Sequence, residues 1–157
     1  MNKSLEIGCG NKEHWRKGYD ERMDLVDFGQ EIVGALEDGI PRPDNIYDEV
    51  YASHILEHVD PRKLIFVVNE VWRVLKKGGE FWAVVPHKDN VDAYIPSHLI
   101  RFNEESFKFF TGELNPDYKD LASLHGGVGS AVKVWETTEL VTNNRLHIHW
   151  KAKPLNK

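Results

Sequence analysis

A short glycine-containing segment near the start of the sequence has the residue types that hold a small ligand. Residues 5–11 read Leu-Glu-Ile-Gly-Cys-Gly-Asn, so Gly8 and Gly10 follow a strand-like apolar run. Glycines at a strand exit let the backbone approach a ligand closely and leave the next N–H groups pointing at it. Because any tight turn can use two such glycines, the pattern alone is a weak indication of a ligand site.

Two acidic residues narrow the kind of ligand that this turn would take. A dinucleotide site needs a third glycine for close helix packing, and Glu13 stands at that position. Glu6 precedes the turn, and its carboxylate would repel phosphate and attract an ammonium group. The segment therefore favours a ligand with an amine and disfavours a dehydrogenase-like nucleotide binder.

The eight histidines raise the question of a metal site. His147 and His149 would project from one face of a predicted strand, as two zinc ligands sometimes do. No third ligand is evident near this pair, and two ligands rarely hold zinc. We therefore interpret the pair as solvent-facing strand residues and predict no metal.

Alternating strand and helix patterns surround these residues. Strands are predicted near residues 4–10, 22–26, 31–36, 46–53 and 80–85, with a terminal hairpin that pairs 131–141 with 145–152 through Asn143 and Asn144. Short helices are predicted near 11–17 and from the cap Asn103 to Gly112, with Phe107 and Phe110 facing inward. Such alternation predicts a parallel sheet covered by helices, with any ligand beyond the carboxyl ends of the strands.

The most regular helical pattern lies in residues 60–78. Asp60 can cap this helix and Pro61 suits its first position. Apolar residues recur at helical spacing up to Leu75, and Gly78 or Gly79 can end the helix.

Inside the hairpin, the alternation predicts that four residues face the core: Leu146, Ile148, Trp150 and Ala152.

Composition limits the class of protein. The length of 157 residues predicts one domain over 1–157, and a hydrophobic fraction of 41% with 29% charged residues is typical of a globular chain. A net charge of −5 disfavours nucleic-acid binding, and no apolar run could span a membrane. Cys9 is the sole cysteine, so no intramolecular disulfide can form, and we expect a cytoplasmic protein.

Two further segments carry a resemblance to a known family. Residues 48–59 read DEVYASHILEHV and residues 70–79 read EVWRVLKKGG. Together with the glycine turn, they resemble the small class I S-adenosylmethionine-dependent methyltransferases of the type 11 group, over most of residues 4–112. The resemblance implies a Rossmann-like α/β fold with sheet order 3-2-1-4-5-7-6 and a C-terminal antiparallel hairpin. It also implies S-adenosylmethionine as the cofactor.

The resemblance further implies a set of cofactor-binding residues. Asp24 matches the acid that holds the ribose hydroxyls, with Asp27 as the alternative. Ala35 stands where an acid often meets adenine, which leaves Leu36, and either Glu37 or Asp38, to cover that ring. The full set is Glu6, Gly8, Cys9, Gly10, Asn11, Asp24, Ala35, Leu36, Ser53 and His54.

Three histidines are the candidate catalytic residues. The family places His54 at the reactive end of the cofactor, and His87 and His98 are candidates to face the substrate. We interpret Glu57 and His58 as residues that hold the loop after the fourth strand by hydrogen bonds. The expected reaction is methyl transfer to oxygen or nitrogen of a small-molecule or saccharide-like acceptor. A non-catalytic binding module is the alternative.

The sequence predicts no obvious element that would shield the expected cofactor site from solvent. Few residues precede the predicted first strand, so we expect no N-terminal helix of the kind that caps longer relatives. The polar segment 116–129, with Gly126, Gly127 and Gly129, could close over the site as a lid or simply connect two elements. A second subunit is the other source of a cover, so the sequence leaves a homo-oligomer open.

Overall fold

Seven strands in the described residues form one mixed sheet. The computed structural model describes residues 2–111 and 133–157. The strands are β1 (Ser4–Ile7), β2 (Glu21–Asp24), β3 (Ile32–Val33), β4 (Tyr47–Ser53), β5 (Leu75–Pro86), β6 (Trp135–Thr142) and β7 (His147–Pro154). Their order in the sheet is β3-β2-β1-β4-β5-β7-β6, with β6 and β7 antiparallel to their neighbours. The predicted α/β fold and strand order are confirmed.

Two α-helices and four 3-10 turns accompany the sheet in the described residues. Helix α1 (Leu64–Val74) buries its valines, and α2 (Glu104–Thr111) buries Phe107 and Phe110 as predicted. The predicted cap of α2 is also confirmed, because Asn103 Oδ1 accepts the Ser106 N–H at 3.1 Å. The 3-10 turns are Lys12–His14, Leu36–Asp38, Leu56–His58 and Val91–Tyr94.

The start predicted for α1 is wrong by several residues. Residues 61–63 form a turn in which Asp60 Oδ1 accepts the Arg62 N–H at 2.9 Å. The Lys63 N–H donates to the Asp60 carbonyl at 2.7 Å, and the helix begins only at Leu64. Asp60 therefore caps a turn that leads into the helix and does not cap the helix itself.

The end predicted for α1 is also wrong, because residues 75–79 belong to β5. Leu75 pairs with Tyr47 of β4 immediately after the last helical residue, Val74. The backbone N–H groups of Asn45 and Ile46 donate to the carbonyls of Arg73 and Val74 at 3.0 and 2.9 Å. A neighbouring segment thus supplies the hydrogen bonds for the last carbonyl groups of the helix. The sequence had instead indicated that a glycine ends the helix.

The β6-β7 hairpin differs from its prediction only near the turn. Ile148, Trp150 and Ala152 are buried as predicted. Leu146 was expected inside, but it has a positive φ of 55° and is 39% exposed. It lies in the turn, which Asn143 Oδ1 orders by accepting the N–H groups of Arg145 and His147.

Parts of the sequence analysis fall on residues outside the described ranges. The segment 116–129 proposed as a lid is one of them, as are residues 131–132 of the predicted hairpin and the stop at Gly112. Of the helices in the described residues, none has the length and apolar content needed to cross a membrane.

Candidate functional site

The glycine turn after β1 is held by hydrogen bonds to the end of β2. Gly8 and Gly10 both have positive φ, 68° and 59°, a conformation that L side chains rarely adopt. The Gly8 N–H donates to the Met23 carbonyl at 2.8 Å, and the Gly10 N–H donates to Asp24 Oδ2 at 2.9 Å. Asn11 then caps the first 3-10 turn. The turn is therefore fixed against β2 without any ligand.

The two glycines differ in their surroundings. A Cβ added at Gly8 would lie 2.6 Å from the Cβ of Ile55, a residue of the loop after β4. A Cβ added at Gly10 would meet nothing within 4 Å. Gly8 is thus packed against the protein, whereas the Cα of Gly10 faces open space.

Two cavities lie on either side of Gly8. The β2-side cavity, about 140 Å³, is lined by residues that include Asp24, Ala35, Leu36, Glu37, Ile55 and His58. The β4-side cavity, about 470 Å³, is lined by Glu6, Cys9, His14, Arg16, Tyr51, Ser53 and His54. Gly8 lines both. Of the ten predicted cofactor residues, eight line one or both cavities, and Gly10 and Asn11 shape the turn beside them.

Glu6 is buried and already paired within the protein. Its side chain accepts the Arg16 backbone N–H at 3.2 and 3.0 Å, and the Arg22 Nε lies 3.4 Å from Glu6 Oε2. Burial is the main influence on this carboxyl and raises its pKa, while the Arg16 N–H and Arg22 oppose the rise. Sequence reasoning missed Arg22. The signal was its place in β2, where the parallel register sets Glu6 opposite Arg22.

Cys9 lies between the two glycines and lines the β4-side cavity. It is 4% exposed, and burial together with the charge of Asp24 raises the pKa of its thiol to about 11. The thiol therefore stays protonated near neutral pH and does not provide a nucleophile there.

Comparison with known proteins finds a methyltransferase family model that matches part of this chain. The family model for a type 11 methyltransferase domain matches residues 15–83. This match supports the type 11 methyltransferase group that the sequence resembles. Among curated proteins, none matches the sequence. S-adenosylmethionine is the methyl donor of this family, so the predicted enzyme class and cofactor are confirmed.

Solved structures share the fold of this methyltransferase at low sequence identity. The N-methyltransferase NodS of Bradyrhizobium japonicum, in complex with S-adenosylhomocysteine, has a TM-score of 0.65 and 10% identity over 99% of this chain and 79% of its own. A methyltransferase of Haloferax volcanii in complex with the activator Trm112 has a TM-score of 0.63 and 14% identity. A SAM-dependent methyltransferase of Aquifex aeolicus has a TM-score of 0.61 and 14% sequence identity. Each of the last two matches covers 98% of this chain and 82% of the other.

His54 directly follows β4, which ends at Ser53, and lines the β4-side cavity. Its φ is positive at 54°, and its backbone N–H donates to the Val84 carbonyl at 2.9 Å. The ring Nδ1 lies 3.2 Å from Oε1 of Glu57, whose side chain is fully buried. This hydrogen bond raises the pKa of His54. The ring of His147 meets the His54 ring edge-on at 4.9 Å.

The other two predicted catalytic histidines lie elsewhere. His87 is 9% exposed, and its Nδ1 accepts the Asp89 N–H at 3.1 Å while its Nε2 lies 3.4 Å from Glu104 Oε2. The His98 ring meets the His58 ring edge-on at 4.5 Å. Neither His87 nor His98 lines the β2-side or β4-side cavity, so the structure does not bring the three histidines together.

Proposed function

We propose that the β2-side cavity takes the adenosine part of S-adenosylmethionine and the β4-side cavity takes its methionine part. The observation that carries this proposal is the position of Gly8, which lines both cavities and so joins them at the turn. Asp24 lies at the end of β2, where its carboxylate can accept hydrogen bonds from two ribose hydroxyls. The chain, residues 1–157, would then work as one cofactor-binding domain.

The residues present fit this cofactor. The open space beside the Gly10 Cα leaves room for a ligand to approach the glycine turn closely. Asp24 Oδ2 accepts the Gly10 N–H, and each carboxylate oxygen has a further lone pair for a ribose hydroxyl. Glu6 supplies negative charge for the methionine ammonium, shared with Arg22. Ala35 has no polar side chain to bind adenine. Glu37 lines the same cavity, so its carboxylate would be the acidic group beside that ring.

For the acceptor, we propose oxygen or nitrogen of a small-molecule or saccharide-like compound. The β4-side cavity, about 470 Å³, has polar groups from His14, Ser53 and His54. Its wall also contains Arg16, whose guanidinium lies 4.4 Å from the ring centroids of both Tyr51 and Trp82. A cavity that combines these polar groups with the aromatic ring of Tyr51 suits a hydroxylated or amine-bearing compound. The naming of NodS as an N-methyltransferase adds support for nitrogen.

S-adenosylmethionine, when bound, supplies an electrophilic methyl group on a sulfonium. The protein must then align the acceptor, exclude water and take up a proton. Alignment contributes about 7–11 kcal/mol in well-oriented systems. The hydrogen bond to Glu57 holds a proton on Nδ1 of His54, so Nε2 is free to accept the proton of a hydroxyl or ammonium.

Calorimetric titration with S-adenosylhomocysteine tests the cofactor assignment. Asp24→Asn keeps an oxygen for the Gly10 N–H, loses the oxygen that accepts the Val26 N–H, and should weaken binding by about 1.5–3 kcal/mol, or about 10- to 150-fold. Asp27→Asn is the matched control, because Asp27 Oδ1 accepts only the local Gly29 N–H among the contacts described. Equal affinity in the wild type and Asp24→Asn would remove Asp24 from the site. A loss confined to Asp27→Asn would move the role there.

Turnover tests the acceptor and the role of His54. Release of S-adenosylhomocysteine should be measured against panels of hydroxylated and amine-bearing small molecules. With a productive acceptor, His54→Gln should lower kcat about 10²- to 10⁴-fold, the range of general base catalysis, and change S-adenosylhomocysteine affinity little. His149→Gln is the control, because His149 lies on β7 and bonds Asn143. Unchanged kcat in His54→Gln would refute the proton-transfer role.

A further inference from the structure

A second cluster lies between the loop after β4 and the segment after β5. It contains Glu57, His58 and His98, whose nearest ligand atoms, one from each residue, all lie within 4.8 Å of one another. The backbone already holds the two segments together, since the Leu99 and Ile100 N–H groups both donate to the Glu57 carbonyl, at 2.7 and 3.2 Å. The three side chains are therefore brought together by the fold, and not by chance approach of surface residues.

Two polar atoms in this cluster are buried without a partner among the described residues. Glu57 is fully buried; its Oε1 bonds His54, and its Oε2 has no hydrogen-bond partner. The Nδ1 of His98 is buried and unpartnered in the same way. An unsatisfied buried polar group destabilises a protein by about 1–3 kcal/mol, and more when it is charged. A cation bound between these atoms would satisfy both.

The hydrogen bond made by the third member, His58, fixes which of its ring nitrogens can bind a metal. His58 Nδ1 lies 3.1 Å from the Ser97 carbonyl oxygen, which can only accept a hydrogen bond. The proton therefore resides on Nδ1, and Nε2 has a free lone pair. A histidine whose second nitrogen donates to a backbone carbonyl is the usual arrangement around protein-bound zinc, because that hydrogen bond fixes the tautomer and the ring.

We propose that Glu57, His58 and His98 form a site for one divalent transition metal, with zinc as the ion. Two imidazole nitrogens and one carboxylate oxygen are zinc ligands, whereas Mg²⁺ and Ca²⁺ prefer oxygen ligands. Three protein ligands leave a fourth position for water or another small ligand. The ion would cross-link the loop after β4 to the segment after β5. Since His58 also lines the β2-side cavity, the site borders the proposed cofactor site without depending on it.

Zinc titration of the full chain, first treated with a chelator, tests this proposal. Isothermal calorimetry should show one equivalent of Zn²⁺ bound, with no comparable binding of Mg²⁺. Glu57→Gln, His58→Gln and His98→Gln should each weaken zinc binding more than 10-fold. His149→Gln is the control, because it removes a histidine from the strand pair His147 and His149 without altering the cluster. Circular dichroism of each variant checks that its fold is retained.

A second measurement keeps the test independent of variant stability. Zinc should raise the melting temperature of the wild type and of His149→Gln, because a ligand that binds only the folded state stabilises it. X-ray absorption at the zinc edge should show two imidazole nitrogens among the ligands. Absence of saturable binding at one equivalent, or binding lost in His149→Gln and retained in His98→Gln, would overturn the proposal.

Discussion

Substitution of Gly8 offers a sharp test of how the glycine turn is built. In Gly8→Ala, the new Cβ would lie 2.6 Å from Ile55 Cβ and 2.8 Å from Ile55 Cγ1, so Ile55 must move. The residue must also keep a φ of 68°. The left-handed conformation costs about 1–2 kcal/mol for an L residue, and overpacking costs about 1–3 kcal/mol. The expected loss in the free energy of unfolding is their sum, about 2–5 kcal/mol.

Gly10→Ala is the matched control for this prediction. Gly10 has a φ of 59°, close to that of Gly8, but a Cβ there meets nothing within 4 Å. Only the conformational cost of about 1–2 kcal/mol applies. Urea unfolding, monitored by circular dichroism at 25 °C, measures the stability of both variants. The comparison requires that the free energy of unfolding depend on urea concentration with a similar slope in each variant.

A double variant separates the two contributions at Gly8. Ile55→Gly removes the three atoms nearest to the new Cβ, so Gly8→Ala in that background should cost about as much as Gly10→Ala, about 1–2 kcal/mol. Ile55→Ala should restore less of the stability lost in Gly8→Ala, because the Cβ at position 55 remains 2.6 Å from the new Cβ. Equal losses for Gly8→Ala and Gly10→Ala in the wild-type background, within about 0.5 kcal/mol, would refute the packing argument.

Three further predictions concern the described residues. Asn103→Ala removes the side-chain cap of α2 and should lower the free energy of unfolding by about 1 kcal/mol in urea titrations; no loss would mean that the cap contributes nothing. Thr137→Val strips the partner from the buried Trp150 Nε1–H, 2.9 Å away, and should cost about 1–3 kcal/mol, whereas Thr138→Val at an exposed position should change stability by less than about 0.5 kcal/mol. Because burial raises the folded-state pKa of Cys9 from 9.0 to about 11, its contribution to stability is fully present below pH 9 and is lost as the pH rises through 11. Cys9→Ser should therefore lose less stability than the wild type between pH 9 and 11, and rapid alkylation of folded wild type at pH 8 would contradict the raised pKa.

The sequence predicted correctly those elements that depend on interactions between residues close together in the chain. The cap at Asn103, the inward Phe107 and Phe110, and the alternation in β7 all follow from side chains and hydrogen bonds near in sequence. The end of α1 did not follow, because the groups that complete it come from Asn45 and Ile46, nearly thirty residues away. Apolar spacing continues to Leu75, but strand pairing with Tyr47 decides its conformation.

The candidate site shows the same division. Family resemblance selected residues that line the two cavities, including Asp24 and His54. It did not reveal Ile55 packed on Gly8, nor Arg22 against Glu6, since both depend on how separate strands are set side by side. Glu57 was interpreted as a loop residue. Its burial, and its approach to His58 and His98, emerge only when the segments after β4 and β5 are brought together.

The position of β7 in the sheet has a consequence for how the chain acquires its structure during synthesis. β7 follows β6 in the chain but lies between β5 and β6, where it pairs Phe81 with Ala152 and Trp135 with Pro154. A nascent chain that has reached β6 but not β7 therefore exposes the backbone N–H and C=O groups along one side of β5. Strand β5 stays open to pairing with other chains until the hairpin has left the ribosome, so pausing in that interval would favour aggregation.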